Sequence, residues 1–141
     1  MVFPRVVSDK EVRQSDYVNS NMILFGTRET NAIIEHFSDK LPIHLNPDAE
    51  GYGLVYIFPM NRHYILVSSG LPWWTPPKKA PGQGGLTFMG SRIEVLKNFR
   101  DFILFRESPD NAISEGTFDA YWKLRTDDAA SLSSSGVITL R

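Results

Sequence analysis

The chain has 141 residues, 42% of them apolar and 12% aromatic, with a formal net charge of -1. That suffices for one domain with its own core and is too short for two, and it is not the composition of a disordered segment. The balanced charge argues against a nucleic-acid surface, no apolar run approaches the roughly 20 residues that cross a bilayer as a helix, and the lack of cysteine excludes disulfides and thiolate chemistry.

Residues 1–20 read as a lead-in or linker. Met1-Val-Phe-Pro-Arg5 lacks the basic start and apolar run of a signal peptide. Asp9-Lys-Glu-Val-Arg-Gln14 is compatible with a helix but has too little apolar surface to stand alone. It must dock on the domain or connect it to something upstream. The domain itself is expected over residues 21–141.

The apolar run Met22–Phe25 meets Gly26, and Ile33, Ile34, Phe37 and Leu41 follow at helical spacing. This pattern predicts a strand, a tight turn and an amphipathic helix. Thr27 is the expected N-cap, with the helix ending near Lys40 because Pro42 disfavours helical geometry before it. Residues 42–45 can form a short strand, and Asn46-Pro-Asp-Ala-Glu-Gly51 is a turn cluster.

Residues 54–58 and 63–68 predict two neighbouring strands around Pro59-Met-Asn-Arg62. Both are apolar on each face, which predicts cover on both sides. Residues 70–90 form a Pro/Gly-rich stretch that suits neither helix nor central strand. A capping box, Ser91-Arg-Ile-Glu94, predicts a helix through Phe99. Residues 102–105 read as a strand, and 116–124 as a closing strand or an aromatic-rich segment packed on the sheet. Residues 127–135 read as a polar, Ser-rich loop and 137–140 as a last edge strand. The expected fold is α/β: a small doubly wound, mostly parallel sheet with helices on both faces, a three-layer arrangement of flavodoxin or Rossmann type.

Chemistry is sparsely signalled. The turn after Gly26 could offer helix N–H groups to an anion, and Arg28 and Asn31 are the residues to test. The stretch lacks the Gly-x-Gly-x-x-Gly and P-loop patterns, so an ordinary strand-to-helix turn is the commoner reading. Ser68 follows a strand without a Gly-x-Ser-x-Gly elbow, and His36, His44 and His63 could pair with a serine only through tertiary contacts. The histidines show no metal-ligand spacing, so neither metal nor cofactor is expected. Trp73 and Trp74 stand out, because adjacent tryptophans in a Pro/Gly loop cannot both point inward along a regular element. They fold back on the domain, dock against another domain or subunit, or face a sugar.

Asn21-Met-Ile-Leu-Phe-Gly-Thr-Arg-Glu-Thr-Asn31, with His36-Phe-Ser-Asp-Lys-Leu-Pro42, resembles a stretch in the C-terminal accessory domain of bacterial modular esterases and peptidases. Those secreted hydrolases carry an α/β-hydrolase domain related to prolyl oligopeptidases. The resemblance continues through Ile57-Phe-Pro-Met-Asn-Arg-His-Tyr-Ile-Leu-Val67, Asp101-Phe-Ile-Leu-Phe105 and Gly116-Thr-Phe-Asp-Ala-Tyr-Trp122. The Trp73-Trp74 loop and the tail after Leu124 lie outside it. It implies a non-catalytic domain that packs on or orients a hydrolase domain of the same full-length chain, in an extracellular or periplasmic setting. No catalytic residue is carried over, and no nucleic-acid or membrane partner is implied. From the residues alone, the other reading is a free-standing small-ligand or carbohydrate-binding module using Trp73 and Trp74.

Overall fold

A computed structural model describes residues 4–76 and 98–141. The expected helix opened by the Ser91 capping box lies outside the described residues, as does the Pro/Gly-rich stretch beyond Pro76. The centre of the molecule is a hairpin of β3 (Tyr52–Met60) and β4 (His63–Gly70). Its two-residue loop, Asn61-Arg62, has φ of 51° and 68°. A loop with both central residues left-handed twists in the same sense as the strands it joins. The register runs without a break from Met60↔His63 to Gly53↔Gly70.

Three further strands complete a five-stranded sheet in the order β1-β4-β3-β5-β6. They are β1 (Met22–Phe25), β5 (Phe102–Arg106) and β6 (Ser108–Gly116). A separate two-stranded antiparallel sheet pairs β2 (Ile43–Leu45) with β7 (Ile138–Leu140). Among the described residues the helices are short: α1 (Gln14–Asn19), α2 (Ala32–His36) and α3 (Thr126–Ser134), with a 3-10 turn at Asp9–Glu11.

This architecture corrects the expected doubly wound α/β fold. Among the described residues only β1 and β4 pair in parallel, and every other pairing is antiparallel. The physical reason lies in the connections. Two residues join β3 to β4, and Glu107 alone separates β5 from β6. Parallel neighbours need a crossover of a dozen residues or more. The apolar character of both sheet faces misleads here, because the second face is covered without a helical layer among the described residues.

One face carries Leu54, Tyr56, Ile65, Val67, Phe102 and Leu104, all essentially inaccessible. They pack against Ile33, Ile34 and Phe37 around α2, Ile43 and Leu45 of β2, Leu132 of α3 and Phe118. The other face holds a smaller cluster of Val55, Ile103 and Phe105, with Leu66, Leu71, Trp73 and Phe99 packed on it. Gly53 is required there: an added Cβ would lie 2.2 Å from the Phe105 ring and 2.4 Å from the Leu71 carbonyl oxygen.

Two local expectations are also corrected, and a third is decided between its two alternatives. Asn31 rather than Thr27 caps α2, and the helix proper ends at His36. Residues 126–134 are helical, not a loop: Asp127 and Asp128 occupy the first turn, where they complement the helix dipole, and Leu132 is pinned in the core. The last regular strand before that helix is β6, so residues 117–124 are the packed aromatic segment and not a strand. Phe118 and Trp122 lie against Phe58 at ring distances of 5.9 and 6.3 Å.

Candidate functional site

Parallel pairing of β1 with β4 brings two distant stretches together. The C-terminal ends of both strands reach the same side of the sheet, with Phe25 paired to Ser68. Gly26 then turns the chain with φ of 123°, and its N–H donates to the Ser68 carbonyl. The Ser69 hydroxyl donates to the Gly26 carbonyl at 2.6 Å, locking the two strand ends. At the end of β4, Gly70 adopts φ of 72°, and Pro72 then opens a turn closed by the Thr75 N–H and hydroxyl, both donating to the Pro72 carbonyl. That turn lays Trp73 and Trp74 across the end of β1.

The result is a three-ring cluster. Phe25 stacks on Trp73 at 5.9 Å with 22° between planes and meets Trp74 edge-on at 5.9 Å. Trp73 and Trp74 are themselves edge-to-face at 4.7 Å. Each such contact contributes about 0.5–1.5 kcal/mol beyond the area it buries. The two tryptophans differ in role. Trp73 is half-buried on the Val55–Ile103–Phe105 cluster, whereas Trp74 stays 42% exposed beside Phe25 at 50% and Ile23 at 56%. Side chains of Ile23 and Phe25 project from the same face of β1, because strand residues alternate with period two. An apolar patch with an aromatic centre therefore stands at the open edge of the sheet.

The residues expected to hold an anion are otherwise engaged. Asn31 is buried; its Oδ1 accepts from the N–H groups of Ile33 and Ile34, and its Nδ2 donates to the Phe25 carbonyl. The Ala32 N–H donates to Asp9 Oδ2 at 2.7 Å. That bond holds the Asp9 carboxyl below the usual aspartate range. The chain's own side chains thus occupy the N–H groups of this helix start. Arg28 Nε donates to the neighbouring Glu29 carboxylate at 3.2 Å.

The histidines are dispersed. His36 is exposed and lies against the rings of Tyr17 and Phe37. His44 is buried, with Nε2 donating to the Ser38 carbonyl at 2.8 Å, and burial pushes its pKa below the ordinary value of 6.5. His63 borders a shallow depression of about 540 Å³ with Val18, Asn19, Asn61 and Arg62. Among the described residues the buried Ser68 hydroxyl has no hydrogen-bond partner, and no base contacts it. Among the described residues no group of three or more His, Asp or Glu could hold a metal ion, and no helix is long and apolar enough to cross a membrane.

Sequence reading singled out Trp73 and Trp74 but missed Phe25 and Ile23. The signal for them was weak: both sit in an apolar run that reads as core, and only the position of β1 at the sheet edge exposes them. No family model, no curated protein and no solved structure matches the chain.

Proposed function

We propose that the chain is a non-catalytic binding module that docks on a folded protein surface through Phe25, Trp74 and Ile23. The observation that supports this reading is the exposure of three large apolar side chains in one place, around a ring stack rooted in the core by Trp73. Aromatic anchors on a rigid base lose little side-chain entropy on binding and dominate many protein interfaces. In the setting implied by the resemblance to esterase-associated domains, the surface would be a hydrolase domain of the same full-length protein. The reaction would then belong to that domain, with this one packing on it or orienting it.

A carbohydrate would need polar groups flanking the rings to satisfy its hydroxyls. Among the described residues, those nearest in sequence are already engaged: the Thr75 hydroxyl donates to Pro72 and Arg28 pairs with Glu29. Protein docking is therefore the better fit. Immunoblotting the source cells with an antibody against this domain is the test. A band well above 16.0 kDa identifies an attached chain to be expressed separately and titrated against the domain by tryptophan fluorescence. A band at 16.0 kDa, with a fluorescence response to oligosaccharides, would replace the docking reading with the free-standing binding module.

A further inference from the structure

The open edge of β1 carries a hydrogen-bonding pattern of its own. The Gly26 N–H donates to Ser68 of β4, and the Tyr64 N–H of β4 is met by the side chain of Asn21. In a ladder, alternate residues face the neighbouring strand. Met22, Leu24 and Gly26 therefore turn their backbone groups toward β4, and Asn21, Ile23 and Phe25 turn theirs away. The Phe25 carbonyl confirms this phase, since it accepts from Asn31 outside the sheet. Ile23 has no such partner on either its N–H or its C=O among the described residues, and neither does the Phe25 N–H.

The two edges of the sheet are treated differently. On the far side, β6 carries Pro109, Asp110 and Glu115, and its pairing with β5 shifts register between Leu104 and Arg106. Proline, charge and irregularity are the devices that keep an edge strand from adding another. Met-Ile-Leu-Phe of β1 has none of them.

We infer that β1 pairs antiparallel with β1 of a second copy of this chain, about a two-fold axis at Ile23, joining the two five-stranded sheets into one. The pattern is self-complementary in this register. A residue that presents both an N–H and a C=O at a two-fold axis exchanges both bonds with its own copy, which is the isologous arrangement of a symmetric dimer. Each Phe25 N–H then meets the carbonyl of the second copy's Asn21. The Phe25 carbonyl keeps its bond from Asn31 and has a further lone pair for the second copy's Asn21 N–H.

Side chains opposite each other across an antiparallel pair share a face. The two Ile23 side chains would lie together, and the Phe25–Trp74 patches of both copies would form one continuous surface. The docking function does not depend on this pairing; a monomer that still binds its partner overturns the pairing alone.

The test is sedimentation equilibrium of the full chain across the micromolar range, with Ile23→Lys and Ile23→Pro alongside. Lysine puts a charge on the edge at an exposed position. Proline removes an N–H that points away from β4, so it breaks no bond within the sheet. The wild type is expected at twice the 16.0 kDa of one copy, and both variants at the mass of one copy with unchanged far-UV circular dichroism. Should proline prevent folding, lysine carries the test. A wild type that stays at single mass overturns the inference, and so does a dimer that survives Ile23→Lys.

Discussion

The side-chain amide of Asn31 bridges the end of β1 and the start of α2, donating to the Phe25 carbonyl at 3.0 Å while accepting from the Ile33 and Ile34 N–H groups. One buried residue thus satisfies a strand carbonyl and a helix N-terminus, and it anchors the backbone of Phe25, whose ring meets the tryptophans. Asn31→Ala is expected to cost about 2 kcal/mol, the sum of a lost N-cap and a part-buried carbonyl deprived of its donor. Asn31→Asp keeps the cap acceptor but sets a carboxylate oxygen against the Phe25 carbonyl in a buried site, so it should cost at least as much. Urea unfolding measures both. A stable Asn31→Ala protein would mean the amide serves a ligand instead of the fold.

The two tryptophans separate stability from recognition. Trp73→Ala removes a half-buried ring from the Val55–Ile103–Phe105 cluster and is expected to cost about 2 kcal/mol, below the range for fully buried rings. Trp74→Ala removes an exposed ring and should change stability by less than about 1 kcal/mol. The pair of unfolding midpoints decides whether Trp73 roots the patch as described.

Tyr56 is completely buried at the centre of the sheet, and its hydroxyl has no hydrogen-bond partner among the described residues. Burial pushes its pKa far up, so the phenol stays neutral. An unpaired buried hydroxyl costs desolvation without return, so Tyr56→Phe should be neutral or stabilise by about 1 kcal/mol. A loss of more than that in thermal or urea unfolding would show that the hydroxyl has a partner.

Acid should destabilise the protein in two steps with separate causes. Burial lowers the His44 pKa, although its bond to Ser38 pulls the other way. Below its ordinary value of 6.5 the unfolded chain takes up a proton that the folded chain does not, so stability falls as pH drops from there to the folded value. The Ala32 N–H lowers the Asp9 pKa, so its contribution is present above the ordinary 3.8 and is lost as pH falls through the folded value. His44→Gln should flatten the upper step and Asp9→Asn should shrink the lower one, to which Asp16, Glu29 and Asp119, also held below their ordinary range, contribute. Urea midpoints measured from neutral pH downward would show both; a step unchanged in its own variant contradicts the assignment.

Strand positions were legible where alternation was strong. Val55, Ile57, Ile65 and Val67 mark β3 and β4, and the apolar run before Gly26 marks β1. Strand direction was not legible, because runs that are apolar on both faces suit a parallel sheet and a covered antiparallel hairpin equally. β6 escaped notice because Ser-Pro-Asp-Asn-Ala-Ile-Ser-Glu-Gly is built of turn-forming residues, and only pairing with β5 makes it a strand. The helix at 126–134 was hidden by serines, with Leu132 as its one fully buried side chain. At the site, Trp73 and Trp74 could be read from their loop. Their contact with Phe25, some 48 positions earlier, follows from β1 lying parallel to β4, which is a property of topology and leaves no local trace.

The most direct test of the docking surface is the affinity of this domain for the protein attached to or co-purified with it from the source, measured by calorimetry for wild type and for Phe25→Ala/Trp74→Ala. Loss of two anchor rings at an interface centre predicts a weakening of tenfold or more, about 1.4 kcal/mol or greater, with the fold retained because Trp73 remains on its cluster. An affinity equal to wild type in a folded double variant would contradict the account and move the contact away from the aromatic patch.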